Sequence, residues 1–426
     1  MPSDKLKSKK LNIWLIKIGE LPIISKESTK ARNYFISQEL IKKGHSVTHF
    51  ISEFNHFTKK HTSRRTTLIS KKNYKCVLLK SLGYKKNISL RRYIDHKLLS
   101  KEFLKTAEKL PLPDIILCGT PPHNLAYTAL KFSKKHNIPF ILDIRDLWPD
   151  IFLDRFPKFL SPLLKIFLYG DFKKSEYIIK NSDAITAVSS SMSSYTLKKS
   201  DNKRIPNKIF YIGYNEPKTN SLKNSKNKNL VLTIPKNKFI ATYIGSFGLN
   251  ADPSIIIKAA KILEKDFHFI IIGQGGSFEK IKNFISSKKI KNISLTGWIP
   301  QSRISQILKQ SHIGLCPTSG TGDFMPNKIF AYLSEGKPII SAYDGELKSI
   351  IEKNKIGLNY SKSDLEEFMF CLNYLKDNSP ILKNMSKNAR KIYKERFALK
   401  NIYSAFSDYI IKIHEDYKKS NEDYKK

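Results

Sequence analysis

The chain has 426 residues, with 76 Lys and Arg against 37 Asp and Glu, a formal net charge of +39. That length predicts two to three domains with real cores, and 40% hydrophobic residues exclude a disordered chain. Of the cations 65 are Lys and only 11 are Arg. The excess fits a lysine-rich coding bias as well as an anionic partner. It speaks against a dedicated nucleic-acid reader, which leans on arginine's bidentate fork.

Four scattered cysteines, Cys76, Cys118, Cys316 and Cys371, form no CxxC pair. They exclude a disulfide scaffold and a Cys-based zinc site, and they suit a reducing cytoplasm. No apolar run reaches the roughly 18–20 residues of a spanning helix. Leu11–Ile18 follows a basic start but is interrupted by Asn12 and Lys17 and lacks a small-residue cleavage site. It is expected to be a first strand, and the protein to be cytoplasmic.

Short apolar runs then alternate with amphipathic stretches, the pattern of βα units on parallel sheets. Strands are predicted at Asn12–Ile18, His45–Ile51, Asp114–Cys118, Pro139–Asp143 and Asp183–Val188. Helices are predicted at Lys30–Lys43 and about Ala126–Lys135, with Ser189–Ser191 suited to capping another. The Asn-, Lys- and Ser-rich stretch 215–238 is the expected linker. Beyond it the spacing predicts strand Phe239–Ile244, helix Ser254–Leu263, strand Phe267–Ile272 and helix Phe278–Ser287. A strand near Asn292–Leu295, a helix near Ser302–Lys309, a strand at Ile313–Cys316 and a helical, charged stretch over Leu365–Tyr417 follow. The expected organisation is a domain over 1–214, the linker, a second domain over 239–395, and a C-terminal helix and tail over 396–426 that crosses back to the first. Both domains read as doubly wound and Rossmann-like, facing one another across a cleft.

Two loops after strands carry glycine: Tyr243–Leu249 (YIGSFGL) and Ile270–Gly276 (IIIGQGG). Glycine there either lets backbone N–H groups approach a phosphate or merely serves a tight strand-to-helix turn. Neither loop is a full GxGxxG or a P-loop. A third stretch, Gly320–Pro338, puts Pro326 in a helix's first turn and Gly336 at its end, which places Asn327 and Lys328 at the positive helix end.

In the order GSFG, IIGQGG, LTGWIP (Leu295–Pro300), PNKIFAYLSEGKPII (Pro326–Ile340) and DGE (Asp344–Glu346), the chain resembles a family-4 glycosyltransferase of the GT-B fold. The segment Leu142–Asp150 (LDIRDLWPD) is similar to the bacterial O-antigen and capsule branch that includes N-acetylfucosaminyl-type transferases. The resemblance implies a sugar moved with retention from a nucleotide-diphosphate sugar, a UDP-linked N-acetylated sugar above all, to a lipid-linked saccharide. The nucleotide sugar is then a substrate, and no cofactor or metal is expected: there is no Asp-x-Asp pair, HExxH or GxSxG. Donor contacts are expected from Gly245, Ser246, Phe247, Gly248, Gly273, Gly275, Trp298, Asp323, Asn327 and Glu346. The chain departs from the family pattern in holding Asp323 and Ala331 where two glutamates are common, and Ser246 and Ala251 where cations are common. Lys328 becomes the candidate cation for the diphosphate.

Asp143 and Asp146 flank Arg145 past a strand end. Asp146 and Arg145 either orient the reacting groups or form an ion-paired loop. Glu20, Ser28 and His123 are the acceptor candidates, His123 being otherwise a surface polar residue. Trp298 either borders the base or packs, and Glu346 either contacts donor or starts a helix. Phe152–Phe172 mixes apolar residues with Arg155, Lys158 and Lys165. It is either an interfacial segment that reaches lipid-linked acceptors on the anionic inner face of the cytoplasmic membrane or a core helix. The basic strip Lys59–Lys101 adds attraction to headgroups. Two other readings are a nucleotide-sugar epimerase of the same fold and a basic nucleic-acid-binding protein. The scarcity of Arg and the lack of interleaved stacking residues speak against the second.

Overall fold

Each β-branched apolar run becomes a strand of one of two parallel sheets in the computed structural model, which describes residues 9–20, 31–150, 152–153, 156–200, 205–216, 233–247, 253–320 and 325–423. The chain divides into two units, Met1–Tyr211 with Tyr403–Lys426, and Ile212–Ile402.

The first unit runs β1 (Asn12–Ile16), α1 (Arg32–Lys42), β2 (Ser46–Ser52), a short hairpin of β3 (Phe54–Asn55) and β4 (Lys60–His61), β5 (Thr67–Lys71) and β6 (Tyr74–Leu79). Then come α2 (Leu90–Ala107), β7 (Ile115–Thr120), α3 (His123–Lys135), β8 (Phe140–Ile144), α4 (Ser161–Phe167), α5 (Tyr169–Asn181), β9 (Ala184–Ala187), α6 (Ser190–Lys199) and β10 (Asn207–Ile209). The sheet order is β10-β9-β8-β7-β1-β2-β6-β5, parallel except for the antiparallel edge strand β5. Strands β7 and β8 are buried at every position, as strands covered on both faces must be. Trp14 of β1 stacks on Phe132 at 5.5 Å and packs with Phe50 and Phe103 in the core beneath α2 and α3.

The second unit runs β11 (Phe239–Ile244), α7 (Ser254–Ile262), β12 (Phe267–Ile272), α8 (Phe278–Ser287), β13 (Ile293–Gly297), α9 (Gln301–Gln310) and β14 (Ile313–Cys316). It continues with α10 (Lys328–Ser334), β15 (Ile339–Ser341), α11 (Glu346–Asn354), β16 (Gly357–Asn359), α12 (Leu365–Asp377) and α13 (Ser379–Ile392). Its order is β13-β12-β11-β14-β15-β16, all parallel. The long α14 (Leu399–Asp423) lies, from Tyr403 onward, in the first unit, where Phe406 stacks on Phe210 at 4.3 Å.

Several expectations change. The strip Lys59–Lys101 is not merely a solvated run: it contains the β5–β6 hairpin and most of α2, whose N-cap Ser89 accepts from the Arg92 N–H. Helix α3 starts at His123 rather than Ala126. Ser189 does cap α6, accepting from Met192. The stretch 365–417 is helical as expected, in α12, α13, a π-helical turn at Tyr393–Phe397 and α14. The core reading of Phe152–Phe172 fails, because α4 buries no residue and Phe159, Ile166 and Phe167 are 79%, 74% and 85% exposed.

Candidate functional site

In an open parallel sheet the crevice for a ligand lies where strand order reverses, outside the carboxyl ends of the two central strands. In the second unit that point falls between β11 and β14, since β12 lies beyond the one and β15 beyond the other. Lys328, at the start of α10, puts its ammonium there. Its Nζ lies 4.1 Å from the ring centre of Tyr243 on β11, and it is buried with no hydrogen-bond partner among the described residues. It also stands 3.0 Å from where a Cβ on Gly245 would be. Burial lowers its pKa, and Cys316 at the end of β14 is the nearest opposing influence. A buried cation without a counterion is costly, so this geometry favours an anion at the carboxyl end of β11.

The glycine loops have a steric explanation. Gly245 N–H donates to the Ile272 carbonyl at 3.0 Å, Phe247 N–H to Gln274 at 3.2 Å, and Gly273 N–H to Gly297 at 2.9 Å. A Cβ on Gly273 would lie 1.7 Å from the Gly245 carbonyl oxygen, and one on Gly275 would lie 2.3 Å from that of Phe247. The two loops are thus zipped together through the Gly245 and Phe247 N–H groups, while the Gly273 N–H is spent on the end of β13, so none of the three is held free for phosphate. The zipped loops flank the Lys328 ammonium. Trp298 follows Gly297 at the neighbouring strand end and is 71% exposed, so the packing alternative for it fails. Ser246 and Asn327 are exposed, and Asn327 is the N-cap residue of α10 without a side-chain cap bond. Glu346 opens α11 after Gly345, beyond β15 on the other side of β14. Gly248, Ala251 and Asp323 lie outside the described residues, as does Ser28.

The first unit has its own reversal between β1 and β7. A cavity of about 180 Å³ opens there, lined by Lys17, Ile18 and Gly19 after β1, Ser52 at the end of β2, and Pro121 and Pro122 after β7. Lys17, which in the sequence only interrupts an apolar run, donates to the Pro121 carbonyl. Burial and the neighbouring Arg145 bring its pKa down to about 7.

Arg145 itself is held inward: it pairs with Glu20, donates to Asp143 Oδ2 at 2.6 Å and to Asn33 Oδ1 at 2.6 Å. Asp143 also pairs with Arg32 at 3.1 Å and accepts from Thr186 at 2.7 Å. Burial works against both charges, but Arg32 and Arg145 hold the Asp143 carboxyl well below its usual range, and Glu20 and Asp143 raise the Arg145 guanidinium. Arg145 and Glu20 therefore form an ion-paired loop that positions the strand ends. Glu20 also accepts from the Asn33 N–H, so its carboxylate is engaged from both sides. Asp146 accepts from the Leu147 N–H at 3.0 Å, just outside this cluster. His123 is buried, and burial drops its pKa to about 3, so it stays neutral; the surface-polar alternative fails. It lines a second, apolar groove with Trp148 and Phe167.

Residues 224–392 match the family model of group 1 glycosyl transferases. Over 200 residues the chain is 23% identical to an uncharacterized glycosyltransferase of Methanocaldococcus jannaschii, a match covering 43% of this chain and 56% of that relative. Among solved structures it is similar to sucrose-phosphate synthase of Thermosynechococcus elongatus, with TM-score 0.72 and 14% identity over 95% of this chain and 99% of the other. It is also similar to HepE of Anabaena in complex with UDP-glucose, with TM-score 0.62 and 13% identity over 94% and 100% of the chains. The fold is GT-B: two parallel α/β units, each with its own strand reversal.

Proposed function

We propose that the chain is a glycosyltransferase that takes a sugar from a nucleotide-diphosphate donor held by the second unit. The observation that carries this reading is the buried, unpartnered ammonium of Lys328 at the strand reversal, inside the segment that matches group 1 glycosyl transferases. An ammonium there supplies what breaking the glycosyl–phosphate bond demands, a fixed positive charge where the departing diphosphate gains negative charge. The exposed Trp298 ring borders the base at the adjacent strand end, and Glu346 faces the sugar from the β15 side.

The reading extends to a retaining transfer. The C1–O bond to the diphosphate breaks, the acceptor oxygen bonds C1 on the same face, and the acceptor's proton passes to the departing phosphate oxygen. Such a step asks of the protein charge stabilisation and water exclusion rather than a nucleophile. The DIRDLWP segment supports the family-4 branch that builds O-antigen and capsule. The preferred donor is then a UDP-linked N-acetylated sugar and the acceptor a lipid-linked saccharide bound in the first unit, with Asp146 beside it. The net charge of +39 and the exposed α4 support work at the anionic inner face of the cytoplasmic membrane.

The test is a panel of nucleotide sugars in thermal-shift and UDP-release assays, with Lys328→Met beside the wild type. The expected loss of turnover is about 30- to 1000-fold, the worth of one charge-assisted contact at the transition state. A folded K328M protein with near-normal turnover refutes the role of Lys328. The absence of a shift with every nucleotide sugar refutes the function.

A further inference from the structure

A groove of about 470 Å³ runs along the first unit between α2 and α4, walled by Ile88, Leu90, Trp148, Phe152, Leu164 and Phe167. Its mouth is apolar and open to solvent: Ile88 and Leu90 are exposed, and Phe167 nearly completely so. Its inner end is not apolar. Arg92, His96 and Pro122 line both this groove and the polar cavity at the ends of β1, β2 and β7, so the two spaces meet at these residues.

The junction is built to hold something polar. The Arg92 guanidinium lies between the Trp148 and Tyr84 rings, at 5.1 and 5.4 Å. Its Nη1 donates to the Asn87 carbonyl at 2.7 Å, yet its Nε is buried with no acceptor among the described residues. His96, only 2% exposed, likewise leaves its Nε2 unpartnered. A buried guanidinium N–H without an acceptor is a standing cost unless an anion accepts from it, and the unpartnered His96 nitrogen lines the same two spaces. The two rings hold the guanidinium at the junction through cation–π contact.

We propose that this junction binds the phosphate of a lipid phosphate, its hydrocarbon chain lying in the apolar groove and its head continuing into the polar cavity. The assignment rests on the reading of the first unit as the one that binds the acceptor, and deepens it by giving the saccharide end the polar cavity. A free sugar has no use for a groove walled by Trp and Phe, and a bare phosphate has none either. A hydrocarbon chain ended by a phosphate uses both halves. The same chain explains why Phe159, Ile166 and Phe167 stay outside the core next to the mouth: they border the hydrophobic phase from which the chain enters. Arg92 and His96 are substrate-binding residues in this scheme, and Lys17, at the far side of the polar cavity, meets the saccharide end.

Dodecyl phosphate below its micellar concentration, dodecanol and inorganic phosphate are the probes, read in a Trp298→Phe background by the change in fluorescence of Trp148, the remaining Trp14 lying in the core. Dodecyl phosphate is expected to saturate the signal at least about tenfold more tightly than either of the other two. Arg92→Gln should weaken dodecyl phosphate about ten- to a hundredfold while leaving dodecanol unchanged. Phe167→Asp, at a position too exposed to threaten folding, should weaken both alkyl probes. Dodecyl phosphate binding no tighter than dodecanol, or unaltered by Arg92→Gln, overturns the phosphate assignment. Inorganic phosphate binding as tightly overturns the lipid. A dimer that Phe167→Asp dissociates, with no alkyl phosphate bound, gives the groove to a second copy instead. A thermal shift with the nucleotide-sugar panel on the wild type runs alongside. If it persists while dodecyl phosphate fails, this assignment alone falls; if it is absent, the donor reading of the second unit falls.

Discussion

Replacing Asp143 by Asn tests whether the charge cluster of the first unit holds the strand ends in place. The carboxylate is fully buried and accepts four hydrogen bonds. Oδ1 takes Arg32 Nη2 at 3.1 Å and Thr186 Oγ1 at 2.7 Å, and Oδ2 takes Arg32 Nε at 3.1 Å and Arg145 Nε at 2.6 Å. With Glu20 on Arg145, two carboxylates balance two guanidiniums. Asparagine keeps the shape but turns one end into an N–H donor facing N–H donors, and it leaves one buried positive charge over. Breaking a buried pair in this way costs about 3–5 kcal/mol. At about 2–4 °C per kcal/mol for a unit of this size, the melting temperature of the first unit should fall by about 6–20 °C. Calorimetry reads the fall, and faster amide exchange in β1 and β8 locates it. Adding Arg145→Met to D143N should recover part of the loss, because it removes the surplus charge. The gap has a defined pH course. A carboxyl held below its usual range stabilises the fold above its unfolded pKa of about 4, and that contribution fades as pH falls toward the folded value. Wild type and D143N should therefore converge in acid. A fall under about 3 °C at neutral pH, or a gap that widens in acid, refutes the reasoning.

Two further outcomes concern the second unit. Burial lowers the Lys328 pKa, and a diphosphate bound against it favours the ammonium. UDP affinity should then fall as pH rises through that lowered pKa in the wild type and stay flat in Lys328→Met, as isothermal titration over a rising series of pH would show. Gly273→Ala forces a Cβ to 1.7 Å from a backbone oxygen at a residue with φ of +143°, whereas a Cβ on Gly276 meets nothing within 4 Å. Gly273→Ala should cost at least about 1–3 kcal/mol and weaken UDP binding, and Gly276→Ala should do neither by melting temperature or titration.

The sheets were legible because parallel strands buried on both faces read as continuous apolar runs. Phe239–Ile244, Phe267–Ile272 and Ile313–Cys316 are such runs, and their ends coincide with the observed strands. Helix α2 was not legible. Its core residues Leu99, Phe103 and Ala107 repeat every four positions, but Arg91, Arg92, Lys97, Lys101 and Lys105 between them made the stretch look like a solvated basic strip. The signal that marks it is Ser89, a capping residue ten positions before the first of that core series. The purpose of the glycines was half legible. Their place after strands is evident in the sequence, yet only the fold shows that Gly273 and Gly275 are glycine because another backbone passes within van der Waals contact.

The cations pose a harder problem, and it bears on how the charge of this chain should be read. With 65 lysines, composition treats Lys17 and Lys328 as two more solvated side chains. Each instead sits at the strand reversal of its unit with its ammonium taken out of water, and burial lowers both pKa values. What separates them from the rest is their place in the fold, which local sequence does not reveal. Lys17 directly follows the buried run Ile13–Ile16, and Lys328 directly precedes the buried run Ile329–Leu333. Lys75 and Lys80 abut the buried run Cys76–Leu79 in the same way and are exposed, so it is the place at the strand reversal, not the neighbouring run, that commits a lysine's charge to the interior. The solvated lysines set the long-range field that draws anions in, a field that salt screens within about 8 Å at physiological strength. These two, like Arg92 in the first unit, are held where that screening does not reach and can bind what arrives.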